Sequence, residues 1–235
     1  GSAYQDRLFV GGTIGFPSIE YTERNTIRET NASDSDEISG LDGYEYNTNL
    51  FASGSGINLK LGLIYKLDET IRYGFSIHTP TYYEINEEYW TNMRTEFMNG
   101  TESYSSESYL GFFDYQLTTP FKMINSLSFI INKTAIISVD YELLDYSSSN
   151  LSADFNNYHF ENNDIERIYK RSSNFRLGGE LRIHPQLSLR GGYAYYGSPF
   201  AVNYNDASQE YLTLGAGLKV NQYFFDMALV NMLSN

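Results

Sequence analysis

Apolar and polar residues alternate with a period of two in five segments of this chain. In the clearest of them, residues 56–63, the odd positions are Ile or Leu and the even positions are Gly, Asn or Lys. Successive side chains of a β-strand point to opposite faces, so each segment predicts a strand with one apolar and one polar face. The four other segments are 71–78, 135–143, 175–183 and 187–195.

The connections between the predicted strands are alternately short and long. Strands are predicted at residues 8–16, 51–67, 71–79, 109–131 with an interruption at Pro120, 135–143, 175–183, 187–196, 211–220 and 223–232. Short turns are predicted at 67–70, 131–134, 184–186 and 220–222, and long polar loops at 17–49, 82–108, 145–174 and 197–209. Bacterial outer-membrane barrels have short periplasmic turns and long external loops. We therefore expect an all-β fold, an antiparallel transmembrane β-barrel with its long loops outside the cell.

This topology makes two further predictions. One rim of the barrel should carry Asp68, Lys133 and Gln186, and the other rim should carry Asp36, Glu102, Asn157 and Asn205. About nine strands are counted, whereas an all-antiparallel bacterial barrel has an even number. We therefore expect the chain to be a fragment of a larger barrel, with residues 1–3 a cloning remnant and residues 4–235 a single β-barrel segment.

The composition agrees with a barrel. Hydrophobic residues make up 41% of the chain, the mean hydropathy is −0.41, and no apolar run has the roughly twenty residues of a membrane helix. A barrel needs none, because only every second residue faces lipid. The 22 Tyr and 15 Phe favour aromatic girdles at the two membrane interfaces over an ordinary aromatic core. Cysteine is absent, which excludes disulfides and thiolate metal sites.

The net charge of −13 disfavours nucleic acid as a partner, because phosphates require Lys and Arg. Acidic residues are crowded into the predicted loops at 17–49 and 82–108. Solvated loops and a divalent-cation site are both compatible with this crowding. The run at residues 34–37 lacks the glycine and glutamate spacing of a calcium loop, so we favour solvated loops and expect no metal.

Candidate chemistry is scarce. The three histidines are His78 at a strand end, His159 in a predicted polar loop and His184 in a predicted turn. No nucleophile elbow, zinc-protease motif or phosphate-binding loop is present, so we expect no enzyme activity and no cofactor. His78 is expected to lie in the lumen, hydrogen-bonded to its neighbours.

Charged residues on the polar faces admit two interpretations. They could hold a substrate carboxylate, or they could pair across strands and line the lumen, which is favoured because confined charges are costly when unpaired. Candidate ligand residues are Lys60, His78, Arg72 and Arg190, the last two because each precedes glycines that let a ligand approach the backbone. Pro120 predicts a break in the wall, either a kink that opens a hole or an ordinary bulge.

Three long segments carry a family resemblance: GSGINLKLGLIYKLDETIRYGFSIHTPTYYEI (54–85), TTPFKMINSLSFIINKTAIISVDYELLDYSS (118–148) and YKRSSNFRLGGELRIHPQLSLRGGYAYYGSPF (169–200). Together they resemble the FadL-like outer-membrane transport family in the form common in Bacteroidetes. The resemblance covers most of residues 8–233. Neither the family's Asn-Pro-Ala signature and N-terminal plug nor its closing strand is found here, in agreement with a fragment.

The resemblance implies a fourteen-stranded barrel in the Gram-negative outer membrane. Its substrates would be hydrophobic small molecules such as long-chain fatty acids or aromatic hydrocarbons. Membrane lipid and lipopolysaccharide would be its other partners, and the protein is expected to be a monomer. A general diffusion porin, a surface-binding barrel and a soluble β-sandwich interaction domain remain the alternatives.

Overall fold

The computed structural model of the protein describes residues 1–31, 40–97, 103–132, 134–201, 203–204 and 206–233. These residues form antiparallel strands, one α-helix and one 3₁₀ turn (Tyr146–Ser148). The strands are β1 (Ser2–Tyr4), β2 (Leu8–Gly15), β3 (Ser18–Thr30), β4 (Leu41–Lys66), β5 (Ile71–His78), β6 (Tyr82–Phe97), β7 (Ser103–Glu107), β8 (Gly111–Thr118), β9 (Lys122–Ile131), β10 (Ala135–Asp145), β11 (Asn150–Ser152), β12 (Arg171–His184), β13 (Leu187–Tyr196), β14 (Gln209–Val220) and β15 (Tyr223–Leu233).

One ladder of strands forms the barrel wall. Its order is β1-β2-β4-β5-β9-β10-β12-β13-β14-β15, and every neighbouring pair is antiparallel. Apart from the three-residue β1, these are the nine predicted strands. The predicted run at 109–131 was wrong in one respect, because it is two strands: β9 belongs to the wall and β8 does not. The predicted antiparallel all-β fold is confirmed.

The register divides the wall into two faces. Cross-strand partners such as Arg72 with Ser128 and Glu180 with Arg190 lie on the polar face, which we call the lumenal face. The opposite, lipid face carries large apolar side chains that are well exposed, including Leu61 (45%), Leu177 (42%) and Leu214 (58%). Hydrocarbon around these side chains removes the cost of exposing them to water. The predicted alternation is therefore confirmed.

The short turns lie together along one rim. Four backbone hydrogen bonds of 2.7–2.8 Å link them: Lys66 to Arg7, Ile130 to Thr70, Arg182 to Thr134, and Lys219 to Gln186. Asp68 accepts the N–H groups of Thr70 and Ile71 at 2.7 Å and so closes the β4–β5 turn. Asn157 lies at the opposite end, after β11. Lys133, Asp36, Glu102 and Asn205 lie outside the described residues.

A second ladder extends beyond the wall, on the side away from the turns. It contains β3, the first half of β4, β6, β8 and β11, and β7 pairs with the end of β6. We call it the external ladder. The prediction of long loops at 17–49 and 82–108 was therefore wrong, because most of these residues are in strands. Their polar residues had suggested loops, but they alternate with Tyr, Ile, Leu and Thr, which favour extended structure.

The alternation changes phase within β4. Between Ile57 and Leu63 the odd residues are apolar and continue the lipid face, whereas between residues 43 and 55 the odd positions are mostly Gly, Asn, Ser and Glu. The even positions become apolar instead, beginning with Ala52 and Leu50. Because β4 runs unbroken through both ladders, the change of phase occurs within this one strand, and we expect the boundary between lipid and water there to lie near Ile57.

The face of the external ladder that continues from the lumenal face is rich in tyrosine. We call it the tyrosine face. Its tyrosines and apolar residues are Tyr21, Tyr44, Tyr46, Tyr83, Tyr89, Tyr104 and Tyr115 with Ile19, Ile27, Leu50, Ala52, Ile85, Met93, Phe97, Phe113 and Leu117. Above the membrane the protein thus has its polar side outward and its apolar side inward, the reverse of the wall.

Proline residues separate the two ladders at one level. Pro80 lies between β5 and β6, and Pro120 lies between β8 and β9. Each follows a threonine whose hydroxyl replaces a ladder carbonyl: the Thr79 hydroxyl accepts the Leu59 N–H at 3.0 Å, and the Thr119 hydroxyl accepts the Thr81 N–H at 2.9 Å. We call this level the Thr-Pro seam.

The connection from β10 to β12 covers part of the external ladder. Its helix, α1 (His159–Ile168), begins at His159, so the prediction that His159 lies in a loop was wrong. Asn162 on this helix accepts the Leu151 N–H and donates to the Leu151 carbonyl, both at 2.8 Å, in place of a neighbouring strand. Among the described residues, no helix is long and apolar enough to cross a membrane.

We expect the two faces of the wall to respond differently to substitution. Leu61→Arg or Val139→Arg should destabilise the inserted state by about 2–4 kcal/mol if the residue is near the bilayer midplane. Gly62→Ser and Ser138→Asn are the neighbouring lumenal controls, and a Cβ at Gly62 would come no closer than 3.6 Å to Ser76. Refolding titrations into lipid vesicles measure the difference. Equal costs on both faces would contradict the assignment of the faces.

The rim assignment can be tested because the chain has no native cysteine. Single cysteines at Asp68 and Gln186 should be protected from an impermeant thiol reagent in intact cells, and cysteines at Asn157 and Tyr109 should react. Permeabilised cells are the control, since all four positions should then be labelled. Labelling at Asp68 in intact cells would contradict the proposed orientation.

Candidate ligand-binding site

A groove of about 820 Å³ runs along the lumenal face of β2, β4, β5 and β9. Small residues form its floor, because a glycine or serine leaves room that a larger side chain would fill. The floor residues are Gly11, Gly62, Gly74, Ser76, Ser126 and Ser128. The volume is in the range of pockets that hold small organic ligands.

Three of the four predicted ligand residues line this groove. Lys60 and His78 are cross-strand partners at its external end, and Arg72 lies near the turn rim. Lys122 is the next cross-strand neighbour of His78 and was not predicted from the sequence. Within the part of the chain that the structure describes, Lys60 and Arg72 form no ion pair. The groove therefore has positive charge at both ends.

Beside the external end of the groove, Glu142 is the centre of a charged cluster. Only 6% of the residue is exposed. Its carboxylate accepts from Asn174 Nδ2 at 2.8 Å and from Arg176 Nη2 at 3.1 Å, and Lys122 Nζ lies 3.7 Å away. A buried carboxylate requires such partners, and these come from β9 and β12 on either side of β10. The cluster therefore fixes three wall strands in register.

Arg190, the fourth predicted ligand residue, lies away from the groove. Its Nε donates to Glu180 at 2.8 Å, and its Nη1 contacts Asp226, so both sides of the guanidinium are occupied. Glu180 is on β12, the neighbour of β13, whereas Asp226 is on β15, two strands away across β14. The arrangement agrees with cross-strand pairing, the interpretation that the cost of unpaired confined charges favours. The glycines beside Arg190 line a separate depression of about 440 Å³.

Pro120 lies where the predicted break was expected. The wall strand β9 begins two residues after it, and Phe121 next to it is 45% exposed. The break is part of the Thr-Pro seam, where Pro80 occupies the matching position on the adjacent strand path. That the seam opens a hole in the wall stays a prediction.

A family model agrees with this geometry. Residues 24–225 match the family described as outer membrane protein transport protein (OMPP1/FadL/TodX). No curated protein sequence matches the chain.

Two solved structures have a similar fold. One is a TodX deltaS2S3 mutant monoaromatic hydrocarbon channel, with 13% identity and a TM-score of 0.56 over 97% of this chain and 61% of that chain. The other is a Pseudomonas aeruginosa FadL homologue, with 13% identity and a TM-score of 0.51 over 97% of this chain and 67% of that chain. The present chain thus spans about three fifths to two thirds of their length.

Removing the charge of Glu142 should destabilise the wall. We expect Glu142→Gln to lower the free energy of unfolding by about 3 kcal/mol, because Arg176 and Lys122 lose a buried counterion. Asp140→Asn is the matched control, since Asp140 also contacts Arg176 but at 3.9 Å and with its side chain 37% exposed. It should cost about 1 kcal/mol or less. Urea unfolding from vesicles measures both, and equal effects would contradict the central role of Glu142.

Proposed function

This chain belongs to the outer membrane protein transport protein family (OMPP1/FadL/TodX), and we propose that it forms the wall of a channel that passes hydrophobic small molecules across the outer membrane. Members of this family are outer-membrane transport channels and not enzymes. The finer proposal is that its substrates are long-chain fatty acids or aromatic hydrocarbons. The observation that carries it is the groove, whose floor of small residues lies between positive ends.

The groove suits an elongated amphipathic molecule. Lys66 on β4 is the cross-strand partner of Arg72, and it is six residues from Lys60 on the same strand. The two ends of the groove are therefore roughly 20 Å apart at 3.3 Å per residue. An extended alkyl chain can lie on the glycine and serine floor without displacing side chains. Ile64 and Phe9 add apolar surface to its lining. The tyrosine face lies beyond the external end and supplies aromatic surface on the side from which substrate arrives.

Among the candidate residues, Arg72 is the best placed to bind a carboxylate. It lines the groove, it forms no ion pair within the described part of the chain, and Gly74 beside it leaves space for a ligand. Lys60 and His78 offer a second position for the same headgroup at the external end. Arg190 is already paired with Glu180 and Asp226, so we assign it to the wall and not to the ligand.

The test compares a long-chain fatty acid with the alcohol of the same chain length. A charge-assisted contact contributes roughly 1.5–3 kcal/mol, so Arg72→Gln should weaken fatty-acid binding by about tenfold to a hundredfold and leave the alcohol nearly unchanged. Binding is measured on the purified protein in non-ionic detergent, and uptake in cells that express the full-length protein.

Arg182→Gln is the matched control. Arg182 is also on the lumenal face near the turn rim and forms no ion pair with a described residue, but it does not line the groove. This substitution should change the binding of neither the fatty acid nor the alcohol. If Arg72→Gln and Arg182→Gln have the same effect on fatty-acid binding, or if Arg72→Gln weakens the binding of the acid and the alcohol equally, the carboxylate site is not at Arg72. Open ion conductance without ligand selectivity would favour a general diffusion porin instead.

A further inference from the structure

The tyrosine face carries negative charge without positive charge. Within the described strands of the external ladder, this face has no Lys, Arg or His, and the arginines Arg24, Arg28 and Arg94 all lie on the opposite face. Two of its carboxylates accept hydrogen bonds from tyrosine hydroxyls instead. Tyr21 donates to Glu23 at 2.7 Å, and Tyr115 donates to Glu87 at 3.1 Å.

Glu87 is a half-buried carboxylate with apolar side chains as its neighbours on this face. On its own strand it lies between Ile85 and Tyr89, which occupy the same face two residues away on either side. Across the ladder its partners are Ala52 on β4 and Phe113 on β8. Ala52 and Ile85 are 7% and 5% exposed, so water has little access from that side. A half-buried carboxylate among aromatic rings and without a cation lacks charge compensation.

Tyr115, the hydrogen-bond donor to Glu87, packs against the ring of Tyr158. Their ring centroids are 6.0 Å apart and the rings are tilted by 53°, so two aromatic rings lie close to the Tyr115 hydroxyl that bonds Glu87. Burial and the Glu87 carboxylate raise the pKa of Tyr115 to about 12, so its hydroxyl remains a donor at neutral pH. Tyr158 precedes α1 and has a left-handed backbone, with φ 46° and ψ 33°. A non-glycine residue in that conformation is strained and is frequent at ligand sites.

We propose that Glu87, Tyr115 and Tyr158, with Tyr89 and Phe113, form a binding site for organic ammonium cations. Aromatic rings attract a quaternary or alkylated ammonium through their negative faces, and a carboxylate supplies the opposite charge. A small hydrated ion would gain less, because one carboxylate and a few hydroxyls do not replace its shell of six or more oxygen ligands. The site is separate from the lumenal groove and does not depend on the proposed transport function.

The test uses choline and its uncharged isostere 3,3-dimethyl-1-butanol, in which a carbon atom replaces the quaternary nitrogen of choline. Binding to the whole protein is measured by saturation-transfer NMR in a non-ionic detergent, since detergents with choline headgroups would compete. Choline should bind, and the alcohol should bind at least about tenfold more weakly. Glu87→Gln should weaken the binding of choline by about tenfold or more and leave the binding of the alcohol unchanged.

Glu88→Gln is the matched control, because Glu88 is adjacent on β6 but on the opposite face, with Phe51 and Phe112 as partners. It should leave choline binding unchanged. Tyr158→Leu should weaken choline several-fold, whereas Tyr158→Phe should retain it because the ring remains. The proposal is overturned if Glu87→Gln and Glu88→Gln have equal effects, if both Tyr158 variants bind choline like the native protein, or if the alcohol binds as tightly as choline.

Discussion

Every backbone amide in the membrane must find its hydrogen-bond partner within the protein. Hydrocarbon offers no water, and each unsatisfied group costs several kcal/mol. The wall ladder meets this requirement with consecutive antiparallel pairs. Successive side chains of each strand point to opposite faces of this ladder, which gives the period of two. The lipid face is then apolar, and charged residues must lie on the other face. There they need partners of their own, which explains why Glu142 and Arg190 are bonded to residues of neighbouring strands.

Above the membrane the same backbone pairing continues while the solvent changes. Water on the outside now favours polar residues there, and the side facing the protein's own axis becomes apolar. The strand β4 shows both conditions in one element, since its apolar positions are odd after Ile57 and even before Ala52. Glycines at 54 and 56 lie between the two parts. We therefore expect the membrane surface to lie near this inversion of the apolar positions.

The wall could be predicted from the sequence because its information is local. A stretch such as 56–63 shows its two faces without reference to any other strand, and turns such as Asp68 to Thr70 are short enough to be recognised directly. The external ladder is harder to predict because its polar residues are typical of loops and its apolar positions, such as Tyr44, Tyr46 and Leu50, have the parity opposite to that of residues 57–63. Its strands are evident from the sequence only when the apolar phase is allowed to change within one strand.

The composition of the groove could be predicted only in part. Lys60 and His78 were candidates because they lie on polar faces, but their neighbour Lys122 is 44 residues after His78, and the pairing of β5 with β9 brings it there. Arg190 is the opposite case, a predicted ligand residue that lies outside the groove. Its glycine neighbours suggested access for a ligand, whereas its partner Asp226 is on a strand that the sequence around Arg190 does not reveal.

The Thr-Pro seam makes the external ladder an exchangeable part of the molecule. Below it, the strand register is fixed by the main-chain bonds of the wall, and threonine hydroxyls end that pairing at Pro80 and Pro120. Among the described strands only β4 belongs to both ladders. Residues above the seam can therefore be lengthened, shortened or replaced without shifting any side chain between lumen and lipid. Such a boundary separates the two kinds of change, because the external ladder can differ in length and composition while every side chain of the wall keeps its face.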